Sequence, residues 1–434
     1  MRSSAPAAWP EKPLGHVLEL VKGTSYKSVD LQGAGALIGL KAVSPGGGFR
    51  PDGLKPFSGK FRPEQELQPG DLIIALTDLT QDGSVLGSPA IVPDTAARPL
   101  VASLDVAKVN LKPGVDRDYA FFLLCDPHAR ADLAAYATGT TVRRLRPDDI
   151  LAHRVRVPPL SEQRRIAWVL GSLDDKIELN RRIAETLEQI AAAIFKARFV
   201  DFVGVEEFEE SELGPIPKGW RVGSLQEVAS VTMGQSPPSS TYGGNPEEGI
   251  VMVQGKGAFG DRFPKREVFC SEPRRSANPG DILMTVRAPV GDINIAREQT
   301  CLGRGVAGLS SDHPAWLEQF LRSSLATWGE HESGTIYPSV NANQVKGLPL
   351  AVPPKAVLED AELVLAPLTR KIAACHAETE TLAAIRDVLL PKLISGKIRV
   401  PGDFGPDAVA EVADELVESA ENQELAAETA ASAG

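Results

Sequence analysis

This chain is written twice, and that repetition constrains its fold more than any single residue does. Leu67-Gln68-Pro69-Gly70-Asp71-Leu72-Ile73 in the first half returns as Ala277-Asn278-Pro279-Gly280-Asp281-Ile282-Leu283 in the second. Val157-Pro158-Pro159 returns as Val352-Pro353-Pro354, and each time a long helix-patterned segment follows. The first pair is offset by 210 residues (Pro69 to Pro279) and the second by 195 (Pro158 to Pro353), so order is kept while loop lengths differ. A duplicated unit made of a globular part and then a helix predicts an architecture with two-fold logic.

With 434 residues, 43% of them hydrophobic, the chain can bury two or three cores. No apolar run reaches the ~18 residues that span a bilayer, and Met1-Arg2-Ser3-Ser4-Ala5-Pro6 has no apolar stretch of the signal-peptide kind. Cys125, Cys270, Cys301 and Cys375 are scattered, without a disulfide framework or zinc-ligand spacing. A soluble, cytoplasmic protein is expected. The net charge of −11 is misleading: nine acids and no base follow Arg399, and without them the charge is −2. That Ala/Glu-rich tail reads as disordered or loosely helical, and the near-neutral remainder is compatible with a nucleic-acid partner.

From about Leu14 to Arg156 short β-like runs alternate with turn signals, among them Leu72-Ile73-Ile74-Ala75-Leu76 and Ala36-Leu37-Ile38-Gly39-Leu40. A helical patch is expected from Tyr119 to Tyr136, with Phe121, Phe122, Leu124 and Leu133 as its apolar face. After Pro158-Pro159, with Ser161 as N-cap, Ile166, Leu170, Leu173, Ile177, Asn180, Ala184, Leu187, Ala191 and Ile194 recur at heptad spacing. An acidic linker, Glu206 to Glu212, leads through Gly214-Pro215-Ile216-Pro217-Lys218-Gly219-Trp220 to a second globular part ending near Ala351. Its strands include Ile250–Val253 and Ile282–Val286, and Ala315 to Leu325 takes the place of the helical patch. A second heptad seam follows at Ala361, Leu365, Leu368, Ile372, Cys375, Thr379, Leu382 and Leu389, with Pro367 set to kink the helix or mark its start. Asn180 either fixes register inside the seam or faces solvent at a bend. Two such helices on one chain satisfy each other most simply as an antiparallel pair.

Catalytic signatures are absent. Gly59-Lys60 and Gly255-Lys256 are followed by Phe61 and Gly257, not by the Ser or Thr of a phosphate loop, and no base-flipping Asn/Asp-Pro-Pro-Tyr/Phe motif occurs. Pro147-Asp148-Asp149 reads as a turn rather than a nuclease carboxylate motif, for no acidic-x-Lys follows. Basic residues gather at Arg143, Arg144, Arg146, Arg154, Arg156, Arg164 and Arg165, and again at Lys256, Arg262, Lys265, Arg266, Arg274, Arg275, Arg287 and Arg304. The polar loops Gly23-Thr24-Ser25-Tyr26-Lys27 and Gly234-Gln235-Ser236-Pro237-Pro238 occupy matched places. Such loops suit phosphate and base-edge hydrogen bonds, although any one basic residue alone fits a solvated face equally well.

Pro158-Pro159-Leu160-Ser161-Glu162-Gln163-Arg164-Arg165-Ile166, followed by Leu173-Asp174-Asp175-Lys176-Ile177, resembles the central region of type I restriction–modification specificity subunits. So do Gly214-Pro215-Ile216-Pro217-Lys218-Gly219-Trp220, and Leu390-Pro391-Lys392-Leu393-Ile394-Ser395-Gly396-Lys397-Ile398 near the end. Gly139-Thr140-Thr141 and Gly334-Thr335-Ile336 fit the same pattern. The likeness covers roughly residues 14–400. The approach to the first globular part departs from it, with Trp9-Pro10 in place of Gly-Trp.

The resemblance implies a mixed α/β (α+β) fold: two globular target-recognition domains, a long antiparallel two-helix coiled coil and a pseudo-two-fold internal repeat. The expected boundaries are 1–157 and 205–352 for the recognition domains, 158–204 and 353–400 for the helical regions, and 401–434 for the acidic tail. The implied role is a non-catalytic DNA specificity subunit reading a bipartite, asymmetric site in double-stranded DNA. Two methyltransferase subunits are the implied partners, carrying S-adenosylmethionine. Motor-nuclease subunits using ATP and magnesium join where a restriction complex is built. This chain itself should hold no cofactor and no metal.

The candidate DNA contacts are Thr24, Ser25, Tyr26, Lys27, Thr140, Thr141, Arg143, Arg144, Gln235, Ser236, Lys256, Arg287, Arg304, Thr335 and Tyr337. The candidate coiled-coil and subunit interface is Ile166, Leu170, Leu173, Ile177, Asn180, Leu187, Ile194, Leu365, Leu368, Ile372, Leu382 and Leu389. The competing reading is a non-catalytic scaffold whose two globular domains bind proteins.

Overall fold

The computed structural model describes residues 9–80, 83–139, 142–325 and 339–400. The chain divides into two compact units: the part up to Ile177 with the segment from Thr381 onward, and Glu178–Glu380.

The domain of the first unit contains β1 (Glu11–Pro13), β2 (Leu18–Lys22), β3 (Gly35–Ile38), β4 (Lys55–Phe57), β5 (Glu66–Leu67), β6 (Leu72–Ala75), β7 (Thr77–Asp78), β8 (Pro89–Ile91), β9 (Leu100–Ala102) and β10 (Val106–Leu111). After it come α1 (Arg117–Cys125), α2 (Pro127–Ala135), β11 (Arg143–Arg144), α3 (Pro147–Ala152) and β12 (Arg154–Arg156). One antiparallel sheet has the order β2-β10-β6-β8, and a second, β4-β3-β9-β5, contains a parallel β3–β9 pair. β6 has no polar alternation because both its faces are covered. Leu72 and Ile74 pack with the helices, while Ile73 and Ala75 join the core formed with the second sheet.

α4 (Leu160–Phe199) follows, then the short hairpin β13 (Phe208–Glu209) and β14 (Ile216–Pro217) within the acidic linker. The second domain contains β15 (Arg221–Ser224), β16 (Ser230–Met233), β17 (Tyr242–Gly243), β18 (Ile250–Val253), β19 (Phe269–Cys270), β20 (Ser276–Ala277), β21 (Ile282–Thr285), β22 (Ile293–Ile295), β23 (Thr300–Leu302) and β24 (Val306–Ser310). It ends with α5 (Pro314–Leu325), α6 (Ala342–Lys346) and β25 (Pro349–Val352), and α7 (Lys355–Ser395) follows. Its sheets repeat the first domain's: β16-β24-β21-β22, and β19-β18-β23-β20 with β17 added at one edge and β18–β23 parallel. The β15–β25 pair repeats β1–β12.

The repeated Pro-Gly-Asp has a local cause. Gly70 and Gly280 sit at φ +88° and +92°, where a side chain would be strained, and each following aspartate accepts a backbone N–H across the turn. These bonds, Gln68 to Asp71 and Asn278 to Asp281, are both 2.7 Å. The same turn therefore launches β6 and β21 into the two cores.

α4 and α7 are each about 60 Å long at 1.5 Å per residue, and they pair antiparallel. In the first unit Asp174 bonds Arg386 and Glu162 bonds Arg399; in the second Arg198 bonds Asp360 and Asn180 bonds Glu378. Ile166, Leu170 and Leu173 are buried in the first domain's core with Leu389 and Leu393, and Leu382 packs against them. In the second unit Ala191, Leu365 and Ala361 share a core with Trp316 and Leu350, and Ile194 and Leu368 pack against it. Between these ends Ala184, Ile372 and Cys375 form a small cluster with Leu187. Ile177 is buried as well. Most of the seam is thus shared with domain cores rather than closed between two bare helices. At the position repeating Ala191 the second helix carries Arg386, half-buried and held by Asp174 and Asp387.

Several expectations are corrected. The patch from Tyr119 to Tyr136 is two helices, because Asp126 caps α2 by accepting the N–H of Ala129 and Pro127 stands at its first turn. α4 starts at Leu160, with the Pro159 carbonyl accepting from Glu162 and Gln163, so Ser161 lies inside the first turn and is not the cap. Pro147-Asp148-Asp149 opens the helix α3 rather than making a turn, and Asp149 pairs with Arg146. Pro367 does not mark the start of α7, which begins twelve residues earlier. Pro367 and Leu363 are both exposed, so the Leu363 carbonyl that loses its N–H partner lies on the solvent side. The departure at Trp9 is nominal too. Trp9 is buried against Gly396 with the Arg399 guanidinium 3.9 Å from its ring, as Trp220 packs on Phe199 and Phe202 beyond α4.

Candidate nucleic-acid interface

In each domain the central sheet ends in loops that carry the polar and basic candidates. At this end of the first domain β2 and β6 finish while β8 and β10 begin. The Gly23 N–H donates to the Val106 carbonyl (3.1 Å) and the Thr24 N–H to the Ala102 carbonyl (2.8 Å). In the second domain the Gly234 N–H donates to Val306 and the Gln235 N–H to Leu302, both 2.9 Å. Both glycines are obligatory by contact: a Cβ would lie 2.1 Å from the Ser103 carbonyl oxygen at Gly23, and 2.1 Å from that of Gly303 at Gly234. The two polar loops are therefore held by one backbone device used twice.

Within the first loop Ser25 and Lys27 are exposed, and the Lys27 N–H donates to Asp30. The Thr24 hydroxyl turns back to the Ser25 and Lys60 carbonyls. Tyr26 packs against the Leu37, Phe57 and Val101 cluster with Lys55 over its ring, so its role there is structural as well as polar. β11 brings Arg143 and Arg144 to the same end by pairing with β7. Arg144 is exposed, whereas half-buried Arg143 donates to the Ala134 carbonyl at 2.9 Å and so holds the end of α2. Buried Asp78 organises the loop between them, accepting the N–H groups of Thr80, Val85 and Leu86.

The second domain brings Gln235, Ser236, Lys256, Arg287 and Arg304 together. Arg304 donates to the Ser236 hydroxyl through its backbone N–H and its Nε. Lys256 pairs with Asp292 at 2.6 Å. Arg287 is exposed, its backbone bridged to Ser339 as Thr77 is paired to Arg144 in the first domain. Thr140, Thr141, Thr335 and Tyr337 lie outside the described residues.

Other basic residues prove to be structural. Arg262 is 2% exposed and forms a bidentate pair with Glu318, both bonds 3.0 Å. Burial pushes the Glu318 carboxyl upward, but Arg262 and Arg322 outweigh it and hold the group below the usual carboxylate range. Arg154, Arg164 and Arg165 pair with Glu11, Asp116 and Glu162 near the start of α4. Gln163, 1% exposed, accepts from the Asp116 N–H and donates to the Gly114 and Pro158 carbonyls, tying α4 to its domain. In the second unit Glu362 does this by accepting the Ala315 and Trp316 N–H groups at the start of α5.

The two candidate surfaces differ most in loop length. Residues 76–88 join β6 to β8, but only residues 286–292 join β21 to β22. Among the described residues no cluster of three or more His, Cys, Asp or Glu side chains could hold a metal. The four cysteines are unpaired, and burial beside Cys270 pushes the Cys301 thiol up to about 12, which keeps it protonated and unreactive. No described helix is long and apolar enough to cross a membrane.

Each unit thus builds one diverged copy of the same α/β module onto a stretch of an antiparallel helix pair. A model of the type I restriction modification DNA specificity domain matches residues 60–189. A Methanocaldococcus jannaschii protein assigned as the type I restriction enzyme MjaX specificity subunit is 31% identical over 261 residues. That match covers 57% of this chain and 60% of the relative, so the chain spans about three fifths of its length. The type I restriction enzyme MjaIX specificity subunit of the same organism is 26% identical over 325 residues, covering 70% of this chain and 74% of that protein. The crystal structure of the type I restriction–modification system S subunit from M. genitalium has the same fold. Its TM-score is 0.59 at 14% identity, over 93% of this chain and 99% of that one. The chain is thus similar, over part of its length, to type I restriction–modification specificity subunits.

Proposed function

We propose that this protein is the non-catalytic DNA specificity subunit of a type I restriction–modification complex, working in the cytoplasm. Each recognition domain reads one half of a bipartite site in double-stranded DNA, and the helix pair sets the separation and docks two methyltransferase subunits. Motor-nuclease subunits join where the complex also restricts. S-adenosylmethionine, and ATP with magnesium, belong to those partners, for this sequence has no phosphate loop and no base-flipping motif.

One observation carries this reading. Gly23–Thr24 and Gly234–Gln235 are anchored by equivalent hydrogen bonds, so two polar loops are presented alike on two domains. What surrounds them differs, with thirteen residues between β6 and β8 against seven between β21 and β22. A fixed scaffold carrying unlike contact loops suits base-edge readout of two unlike half-sites. The test is selection of bound duplexes from a random pool with the methyltransferase complex. Two different arms separated by a fixed spacer are expected, and a perfect palindrome would sink the proposal.

A further inference from the structure

Residues 254–266 form a loop running from the candidate interface back toward the long helices of the same unit. The loop leaves the interface beside Arg304, where the Gly303 N–H donates to the Val253 carbonyl, and it carries Lys256. Its far end is fixed by buried polar groups. Asn294, 1% exposed, accepts the Gly260 N–H (3.2 Å) and returns an N–H to the Gly260 carbonyl (3.1 Å). Arg262 meets Glu318 of α5 in a two-bond fork and comes within 3.9 Å of Glu188 on α4. Phe263 lies edge-on to His376 of α7, with ring centroids 6.4 Å apart.

A buried ion pair is an inefficient source of stability, because desolvation offsets most of its attraction; its directional fork does fix geometry. The first domain holds its corresponding loop differently, with Gly46 beside the Arg130 guanidinium of α2 and no such buried fork holding it among the described residues. That loop lays Gly47 against Cys125 and Phe121 of α1, with the Gly46 N–H bonded to Ser88.

We propose that Arg262 is a positioning residue for DNA reading by the second domain: its fork to Glu318 sets the placement of the Lys256 loop against the helices, without touching DNA. This rests on the DNA-reading function proposed above. Arg262→Met is the variant to use, since Glu318 keeps Arg322 at 3.0 Å and is not left as a stranded charge. The full chain, in complex with its methyltransferase subunits, is assayed on duplexes carrying single base-pair changes in either arm. Discrimination should fall on the order of tenfold in one arm only, the arm that Lys256→Ala also affects, with the other arm intact. The slope of log affinity against log salt should stay unchanged, whereas loss of a phosphate contact would lower it by ~0.9. If melting shows that Arg262→Met unfolds the domain, Arg262→Met with Glu318→Leu removes both charges and takes the same assays. Equal loss in both arms, no loss in a folded variant, or a reduced salt slope would overturn the proposal. A wild-type complex without sequence preference would instead reject the DNA-reading function, and this inference with it.

Discussion

The side-chain amide of Asn180 on α4 donates to the Glu378 carboxylate on α7 at 2.9 Å, from a position only 1% exposed. Its neighbours along the seam, Ile177 and Ala184, are apolar and buried. A buried amide in an apolar seam lowers stability in exchange for a defined pairing.

Asn180→Leu should therefore raise unfolding stability by about 1 kcal/mol, because exposed Glu378 can return to water. Asn180→Asp should lower it by about 2 kcal/mol at neutral pH, since two carboxylates would then face each other. The new aspartate would titrate above its unfolded value. Its penalty should be absent below about pH 4 and grow as pH rises through the folded value. Urea titrations at several pH values measure both effects.

Glu318→Gln should cost about 3–5 kcal/mol, for it removes the charge of Arg262's buried two-bond fork and leaves half-buried Glu188, 3.9 Å away, as a poor substitute. The wild-type carboxyl titrates below the usual 4.5, so its contribution is fully present above that pH and is lost as pH falls through the folded value. The gap between wild type and variant should accordingly narrow below about pH 4.5. A gap that stays constant into acid would assign the loss to something other than this ion pair.

Gly23→Ala and Gly234→Ala should each cost about 1–3 kcal/mol, because the methyl meets a backbone carbonyl that cannot yield cheaply. Each should also impair recognition of one arm and spare the other. Denaturation curves with arm-by-arm binding would check this, and indifference of both arms would contradict it.

Two arginines placed together among the candidates should separate. Arg287→Ala should leave stability within about 0.5 kcal/mol and lower the salt slope of DNA binding by ~0.9. Arg143→Ala should cost about 1–2 kcal/mol through the bond it makes to the Ala134 carbonyl. The deciding comparison is calorimetric melting against salt-dependent affinity for the two variants.

What could be read from the sequence follows from locality. Pro69-Gly70-Asp71 and Pro279-Gly280-Asp281 announce themselves because a left-handed turn with an aspartate accepting across it needs those residue types in that order. The seams at Ile166, Leu170, Leu173 and at Leu365, Ile372, Leu389 show because burial on one helix face imposes a period. Long-range pairing leaves no such trace. Arg262 looks like its exposed neighbours, and its buried role depends on Glu318, 56 residues away. Arg143 is likewise drawn inward by the end of α2. Asp126-Pro127 is a legible cap signal, but the apolar pattern of Phe121, Phe122, Leu124 and Leu133 runs across it and masks the split. Trp9 was obscured by its neighbours: the fold requires an indole against the end of a long helix, not the glycine that precedes Trp220.

Trp9 also bears on the topology of the polypeptide. Beyond α4 the chain runs on through residues 200–219 to Trp220, which packs beside the helix it has just left. Beyond α7 a tryptophan fills the comparable place, yet it comes from the opposite end of the chain and meets Gly396 and Arg399 across space. One junction is covalent and the other is held by packing alone. Joining Arg399 to Trp9 through a short tether and opening the chain between residues 205 and 214 would exchange the two, a circular rearrangement that leaves every core contact described above in place.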